Sequence, residues 1–282
     1  MKVLSLFDGI SCGRVALERA GVKVDKYYAS EIDKFAVKIS KDNYEDIEHL
    51  GDVCEWQDWS IEWDEIDLVL AGSPCQSISN LGDGSGLDGK SGLFYVFFDI
   101  LQYVREHNPQ VKFLLENVQG NKKALSVIDE MLGVKSVPIN SNAFSAQNRR
   151  RLYWTNIEIP NIKPKDIKLV DILEDGVPKD SLLSPGRERW LLSEKGQKTV
   201  EKRYASIDPE KAGCLTARSD ASWNSNYVTR NGVLTRLTPV EYERLQTLPD
   251  NYTNAVSNSQ RYKAIGNGWT VDVITHILKG LK

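Results

Sequence analysis

The sequence predicts an α/β chain, a doubly wound and mostly parallel sheet accompanied by a smaller, irregular lobe. Three observations carry that expectation. Over the first 120 residues, short apolar runs alternate with segments of helical period. The turns after two of those runs, at Phe7-Asp8-Gly9 and Gly72-Ser73-Pro74, are punctuated by Gly or Pro, as at the carboxyl end of a parallel strand. Between about residues 160 and 233 the periodicity weakens, and Pro160, Pro164, Pro178, Pro185 and Pro209 interrupt clusters of Gly, Ser and Asn.

Lys2–Phe7 reads as the first strand, and Arg14–Ala20 as a helix stopped by Gly21. Tyr27–Ile32 follows as a strand and Asp33–Asn43 as a helix. A third strand ends near Gly51. The short, mainly apolar stretch Ile66–Ala71 reads as a buried parallel strand. Leu93–Arg105 has helical period, Lys112–Leu115 is a further strand, and Ala124–Leu132 is helical. Arg151–Ile157 alternates like an extended strand. After the irregular stretch, Thr238-Pro239 followed by Glu241 starts a helix with Pro in its first turn. The chain closes on an apolar-periodic helix, Val271–Leu278.

Composition narrows the class. The 282 residues, 41% apolar and 27% charged, suit a folded globular chain, and no segment approaches a membrane span or a signal peptide. A cytoplasmic location is expected. The cysteines Cys12, Cys54, Cys75 and Cys214 form no C-x-x-C pair, and His49, His107 and His276 show no ligand spacing, so no metal is expected. The formal charge of −3 hides an asymmetry: residues 1–139 carry 14 Lys/Arg against 23 Asp/Glu, whereas residues 140–236 carry 17 against 12. A basic middle beside an acidic beginning suits a protein that grips phosphate with one lobe.

Cys75 draws attention first, because the run Ile66–Ala71 delivers it on a Gly/Pro turn at the place where open α/β sheets put their chemistry. A buried structural thiol is the plainer alternative. The following segment, Ser77–Gly92, holds five glycines and reads as a loop able to close over a substrate. Phe7–Gly13 is a Gly-bearing turn into a helix, suited to a ligand's approach, though it lacks both G-x-G-x-x-G and a G-K-[ST] phosphate cradle. Glu31 ends the second strand, where a carboxylate can bind ribose hydroxyls, and Asp52 ends the third, where it can accept from an adenine amine. Together they suit a nucleoside-bearing cofactor. Glu116 lies at the end of a fourth strand facing the same crevice as Cys75, as a candidate acid or anchor. Strand alternation puts Arg149 and Arg151 on one face, available to an anion or to developing charge.

In order, the set F-x-G from Phe7, Glu31, Gly51-Asp52-Val53, Pro74-Cys75-Gln76, Glu116-Asn117-Val118, Gln147-x-Arg149-x-Arg151, Arg236-Leu237-Thr238-Pro239-x-Glu241 and Gly266-Asn267 resembles the cytosine-5 DNA methyltransferase family, over nearly the whole chain. The resemblance is to the bacterial or phage type, with some features like the animal de novo branch. It implies a Rossmann-like methyltransferase sheet, with a catalytic domain that binds S-adenosylmethionine over residues 1–158. A target-recognition lobe would span 159–235, and a C-terminal segment, 236–282, would return to the catalytic domain. The implied activity is methyl transfer from S-adenosylmethionine to carbon 5 of a cytosine flipped out of double-stranded DNA, with S-adenosylhomocysteine as product and the enzyme a monomer.

By the same resemblance, the Cys75 thiolate would attack carbon 6 and Glu116 would hold the pyrimidine edge. Arg149 and Arg151 would position the base and favour the thiolate. The implied cofactor residues are Phe7, Asp8, Gly9, Ile10, Gly13, Glu31, Ile32, Asp52, Val53, Gly72, Pro74, Asn267 and Trp269. Lys163, Lys165, Lys168, Arg187 and Arg189 would meet phosphates, and Cys214-Leu215-Thr216-Ala217-Arg218 is similar to a recurring element of the family's recognition lobe. Three departures stand out. Ser11 replaces the second glycine of F-x-G-x-G, Ser73 replaces the first proline of the nucleophile motif, and Gly268-Trp269 follow Asn267. A transfer-RNA cytosine-5 methyltransferase on the same scaffold is the alternative.

Overall fold

Strands without polar alternation need cover on both faces, and the sheet supplies it. The computed structural model describes residues 1–74, 92–120, 122–202, 206–219 and 225–282. Five strands, β1 (Lys2–Leu6), β2 (Lys26–Ser30), β3 (Ile47–Gly51), β4 (Ile66–Ala71) and β5 (Lys112–Asn117), pair in parallel, and β7 (Arg150–Thr155) runs antiparallel to β5. With β6 (Val137–Asn140), the order is β3-β2-β1-β4-β5-β7-β6. The order reverses between β1 and β4, the crevice where a doubly wound sheet takes its ligand. The expected strands are present. The short β6, two of whose four residues are exposed, carries too little apolar pattern to be read from sequence.

Helices α1 (Cys12–Ala20), α2 (Lys34–Asn43), α3 (Gly92–His107) and α4 (Lys122–Leu132) accompany the sheet. Gly21 closes α1 at φ 70°, its N–H donating to Glu18 and Leu17 carbonyls. Asp33 opens α2 by accepting from the N–H groups of Phe35 and Ala36. In α3, Phe94, Phe97, Leu101 and Val104 recur at helical spacing and join the core built from Leu4, Leu6, Val69, Phe113 and Leu115.

The chain forms two compact units, residues 1–139 with 150–161 and 274–282, and residues 140–149 with 162–273. These bounds differ from the expected 1–158, 159–235 and 236–282. Within the second unit, Leu237, Tyr242, Leu245, Tyr262 and Ile265 share one apolar cluster with Ala212, Leu215 and Val228.

The second unit is also more regular than its sequence suggests. It carries β8 (Ser206–Ile207), β9 (Asn226–Arg230) and β10 (Val233–Arg236) in the order β10-β9-β8, with helices α5 (Pro185–Leu192), α6 (Glu194–Lys202), α7 (Pro239–Leu245) and α8 (Asn258–Asn267). Helix α9 (Val271–Leu278) ends the regular structure. Asn231 and Gly232 both have positive φ, 50° and 77°, and make the two-residue turn joining β9 to β10.

A buried ion pair fixes the start of α7. Arg230 Nη2 lies 2.7 Å from both oxygens of Glu241, whose carboxylate also accepts from the N–H groups of Thr238 and Glu174 at 2.8 Å. Removing one partner of such a pair leaves the other charge buried and uncompensated, at roughly 3–5 kcal/mol. Glu241→Ala should therefore lower the free energy of urea unfolding by about that amount. A loss below about 1 kcal/mol would show that the pair contributes no more than a surface one.

Candidate active site

The parallel registers align the strand ends. Leu6 pairs with Ser30 and Ala71, Ser30 with Gly51, and Ala71 with Leu115. One residue further along each strand stand Phe7, Glu31, Asp52, Gly72 and Glu116. Five residues scattered over 110 positions of sequence thus form a single row along the carboxyl edge of the sheet.

At the β1 end of that row the backbone is unusual. Phe7, Gly9 and Ser11 all lie in the left-handed region, at φ 57°, 61° and 59°. The Asp8 N–H donates to the Ser30 carbonyl at 3.0 Å, and the Gly9 N–H to Glu31 Oε2 at 2.9 Å. Glu31 Oε1 accepts from the N–H groups of Ile32 and Asp33, each at 2.8 Å. The carboxylate is thereby fixed in orientation, with lone pairs left for hydroxyl donors. Asp52 Oδ1 accepts from the Cys54 N–H at 2.9 Å. The Asp8 carboxylate turns inward onto the hydroxyls of Ser5 (2.5 Å), Ser11 (2.5 Å) and Tyr27 (2.7 Å). Burial pushes this carboxyl above its ordinary range, opposed by the hydroxyl donors of Ser11, Ser5 and Tyr27.

This edge fits an adenosine-bearing group. Ile32 is 74% exposed beside Glu31, an apolar surface beside acceptors suited to hydroxyls and an amine. A Cβ placed on Gly9 or Gly51 would meet nothing within 4 Å, so the turns stand open. Ile10 and Val53, at 1% and 4% exposure, turn their side chains into the interior and leave only backbone for a ligand. Gly13 is buried at the start of α1.

Further along the edge, Glu116 Oε1 stands 3.0 Å from Arg151 Nε, both side chains being largely buried. Pairing of Glu116 with Tyr153 across β5 and β7 sets Arg151 near the carboxylate. The next residue, Asn117, is buried, and its Nδ2 donates to both the carbonyl and the hydroxyl of Ser73 at 3.0 Å. The turn that leads from Gly72 to Cys75 is thus pinned to the end of β5, and the hydroxyl of Ser73 supplies one of the two anchor points. Pro74 is exposed. Cys75 and residues 77–91 of the expected glycine-rich loop lie outside the described residues, while Gly92, read as the end of that loop, begins α3.

Arg149 behaves differently from Arg151. Strand β7 begins at Arg150, so strand alternation does not govern Arg149, which belongs to the second unit. It is 6% exposed, and its guanidinium donates to the carbonyls of Leu215 (2.7 Å), Gly268 (3.0 Å) and Gly266 (3.3 Å), and to the Cys214 sulfur at 3.5 Å. Gln246 Nε2 donates to the Gly268 and Ile265 carbonyls at 3.0 Å, and its Oε1 accepts from Thr270 Oγ1 (2.7 Å) and Gln147 Nε2 (3.1 Å). Gln147 Oε1 accepts in turn from the Leu215 N–H at 2.9 Å. This buried network braces the backbone on both sides of Asn267, whose own side chain is exposed, and holds the 214–216 element. Trp269 is half-buried. Sequence reading missed Gln246, Thr270 and the anchoring role of Asn117, because a buried amide in a polar network looks like a surface amide when only its letter is known.

Among the expected phosphate contacts, Lys165 pairs with Asp272 at 3.0 Å, Lys168 with Glu210 at 3.4 Å, and Arg187 donates to the Tyr227 hydroxyl at 3.1 Å. Lys163 and Arg189 are exposed.

A doubly wound sheet with carboxylates, a guanidinium and a pinned turn on its carboxyl edge has the architecture of an α/β enzyme. Comparison with known proteins gives the family. The profile described as C-5 cytosine-specific DNA methylase matches residues 1–168 and 188–282, and the chain belongs to that family. The type II methyltransferase M1.ScrFI of Lactococcus lactis subsp. cremoris is 29% identical over 301 residues, which cover 97% of this chain and 76% of that protein. The type II methyltransferase M.HhaI of Haemophilus parahaemolyticus is 27% identical over 311 residues, covering 98% and 93%. The solved structure of the Entamoeba histolytica methyltransferase EhMeth shares the fold with a TM-score of 0.78 at 17% identity, covering 100% of this chain and 97% of that one.

Gly266 allows the 216–217 backbone to approach α8 closely. A Cβ there would stand 2.3 Å from the Thr216 carbonyl oxygen and 2.8 Å from the Ala217 nitrogen, both backbone atoms. Gly266→Ala should force these segments apart and lower the thermal midpoint by several degrees or more, for a cost of at least about 1–3 kcal/mol. An unchanged midpoint would mean that the contact is not held in solution.

Proposed function

We propose that this enzyme methylates carbon 5 of a cytosine flipped out of a short duplex DNA site, using S-adenosylmethionine and a covalent bond from Cys75. The observation that carries the reading is the Glu116–Arg151 pair, 3.0 Å apart on the edge toward which Gly72-Ser73-Pro74 leads Cys75. A carboxylate oriented by a guanidinium suits a pyrimidine edge, where it accepts from the exocyclic amine and from a protonated N3. Arg151 supplies the balancing positive charge. The Cys75 thiolate adds to carbon 6, carbon 5 becomes nucleophilic and takes the methyl group, and loss of the carbon-5 proton then permits elimination of the thiol.

S-adenosylmethionine, when bound, supplies the electrophilic methyl group. Phe7 and Ile32 would pack on its adenine, Glu31 would accept from the ribose hydroxyls and Asp52 from the adenine amine. The Asp8–Gly13 backbone with Gly72, Pro74, Asn267 and Trp269 would receive the rest. Arg149, expected to touch the base, is better read as a positioning residue, because its guanidinium is taken up by backbone carbonyls. The basic excess over residues 140–236 supports a phosphate-bearing partner. Lifting the base from the stack costs roughly a few kcal/mol, to be recovered from contacts made after flipping.

Labelled methyl donor and mixed duplex DNA test the reading. Cys75→Ala should reduce transfer to background, and Glu116→Gln should lower kcat by roughly 10²–10⁴-fold. Native-level transfer by Cys75→Ala would end the covalent reading. Preferential labelling of transfer RNA over duplex DNA in competition would replace the DNA substrate with the alternative.

A further inference from the structure

The β1–α1 turn needs three left-handed residues in alternation, and only the middle one is glycine. Phe7 and Ser11 adopt φ 57° and 59° with side chains attached. Ser11, at ψ 36°, stands immediately before α1 and makes no side-chain cap to that helix. Its hydroxyl is committed elsewhere, 2.5 Å from Asp8 Oδ2 and 2.6 Å from the hydroxyl of Ser40 on α2. A serine has one hydroxyl proton. With that proton given to the carboxylate, the Ser40 hydroxyl must be the donor to Ser11. The chain of bonds therefore runs from Ser40 to Ser11 to Asp8, and Asp8 is held in turn by Ser5 and Tyr27. Ser11 and Ser40 are fully buried.

We propose that Ser11, clamped between Asp8 and Ser40, is a positioning residue that imposes on this turn the left-handed backbone a glycine would adopt freely, and so shapes the site for S-adenosylmethionine. The inference rests on the cofactor reading above and adds to it a residue whose side chain is buried against Asp8 and Ser40. It accounts for serine where the family pattern has its second glycine: the hydroxyl replaces conformational freedom with a fixed bond. Loss of the hydroxyl with retention of the Cβ leaves a disfavoured backbone with nothing to hold it. Loss of both restores freedom.

S-adenosylhomocysteine binding measured by calorimetry on the native full-length chain, without DNA, separates these cases, with circular dichroism as a check on folding. Ser11→Ala should weaken binding at least tenfold, and Ser11→Gly should recover to within about threefold of native. Ser11→Ala binding as native does overturns the clamp. Ser11→Gly binding as weakly as Ser11→Ala overturns it as well, because the hydroxyl itself would then be the binding group. If Ser11→Ala does not fold, Ser40→Ala, which removes the donor to Ser11, decides: a threefold or greater loss supports the clamp, and native affinity overturns it. A native chain that binds no S-adenosylhomocysteine fails the cofactor reading itself and takes the clamp with it, whereas native binding beside an unaffected Ser11→Ala fails the clamp alone.

Discussion

Parallel pairing in register determines what this sheet can do. Backbone hydrogen bonds set Leu6, Ser30, Gly51, Ala71 and Leu115 side by side, and that single alignment decides where every following residue stands. A slip by one residue in any strand would turn each of its side chains to the opposite face of the sheet. It would also carry Glu31, Asp52 or Glu116 out of the row. The apolar side chains that lock the register, such as Leu4, Val69, Phe113 and Leu115, are thus as much a condition for that row as the backbone bonds themselves. The bonds from Gly9 N–H to Glu31 and from Asn117 to Ser73 then tie neighbouring strand ends to one another, so the edge is fixed by polar contacts as well as by the core beneath it.

The second unit solves a different problem. Its backbone between Gly266 and Thr270 leaves carbonyls that no helix or strand can satisfy, and buried carbonyls need donors. Arg149 and Gln246 supply them, and Gln147 and Thr270 complete the set. A fully satisfied buried network of this kind specifies one arrangement, because any shift strands several groups at once. Asn267, exposed between two braced carbonyls, is held by its neighbours rather than by its own side chain. The close approach of Gly266 to Thr216 extends the same logic to the recognition element, where the absence of a Cβ admits contact between backbones.

Periodicity and strand-end residues made the sheet readable from sequence, since buried parallel strands show as unbroken apolar runs. The edge row was readable for the same reason: an acid directly after such a run is at the carboxyl end by construction. Less could be read of the second unit, where short strands such as Ser206–Ile207 carry no periodic signal, and the Asn231-Gly232 turn between β9 and β10 went unread. The apolar cluster of that unit was not legible either, because the partners of Tyr242 and Tyr262 lie tens of residues earlier, at Ala212, Leu215 and Val228. Arg149 and Arg151 look equivalent as letters two apart. They part because β7 begins between them, and only the residue inside the strand inherits its alternation.

That parting illustrates how one short motif can serve two purposes. Gln147 spends both ends of its amide, and Arg149 both terminal nitrogens of its guanidinium, on protein, whereas Arg151 meets a carboxylate on the edge of the sheet. A guanidinium that already donates to three carbonyls has little left for a substrate, but its planar fork is well suited to crossing several peptide groups at once. Lysine, a point donor on a flexible stem, cannot reproduce that span. The same reasoning applies at the other end of the chain, where Ser11 takes up a glycine's conformation by means of its hydroxyl. In both places a side chain of catalytic type acts on the backbone, and the chemistry is left to neighbours which that backbone holds still.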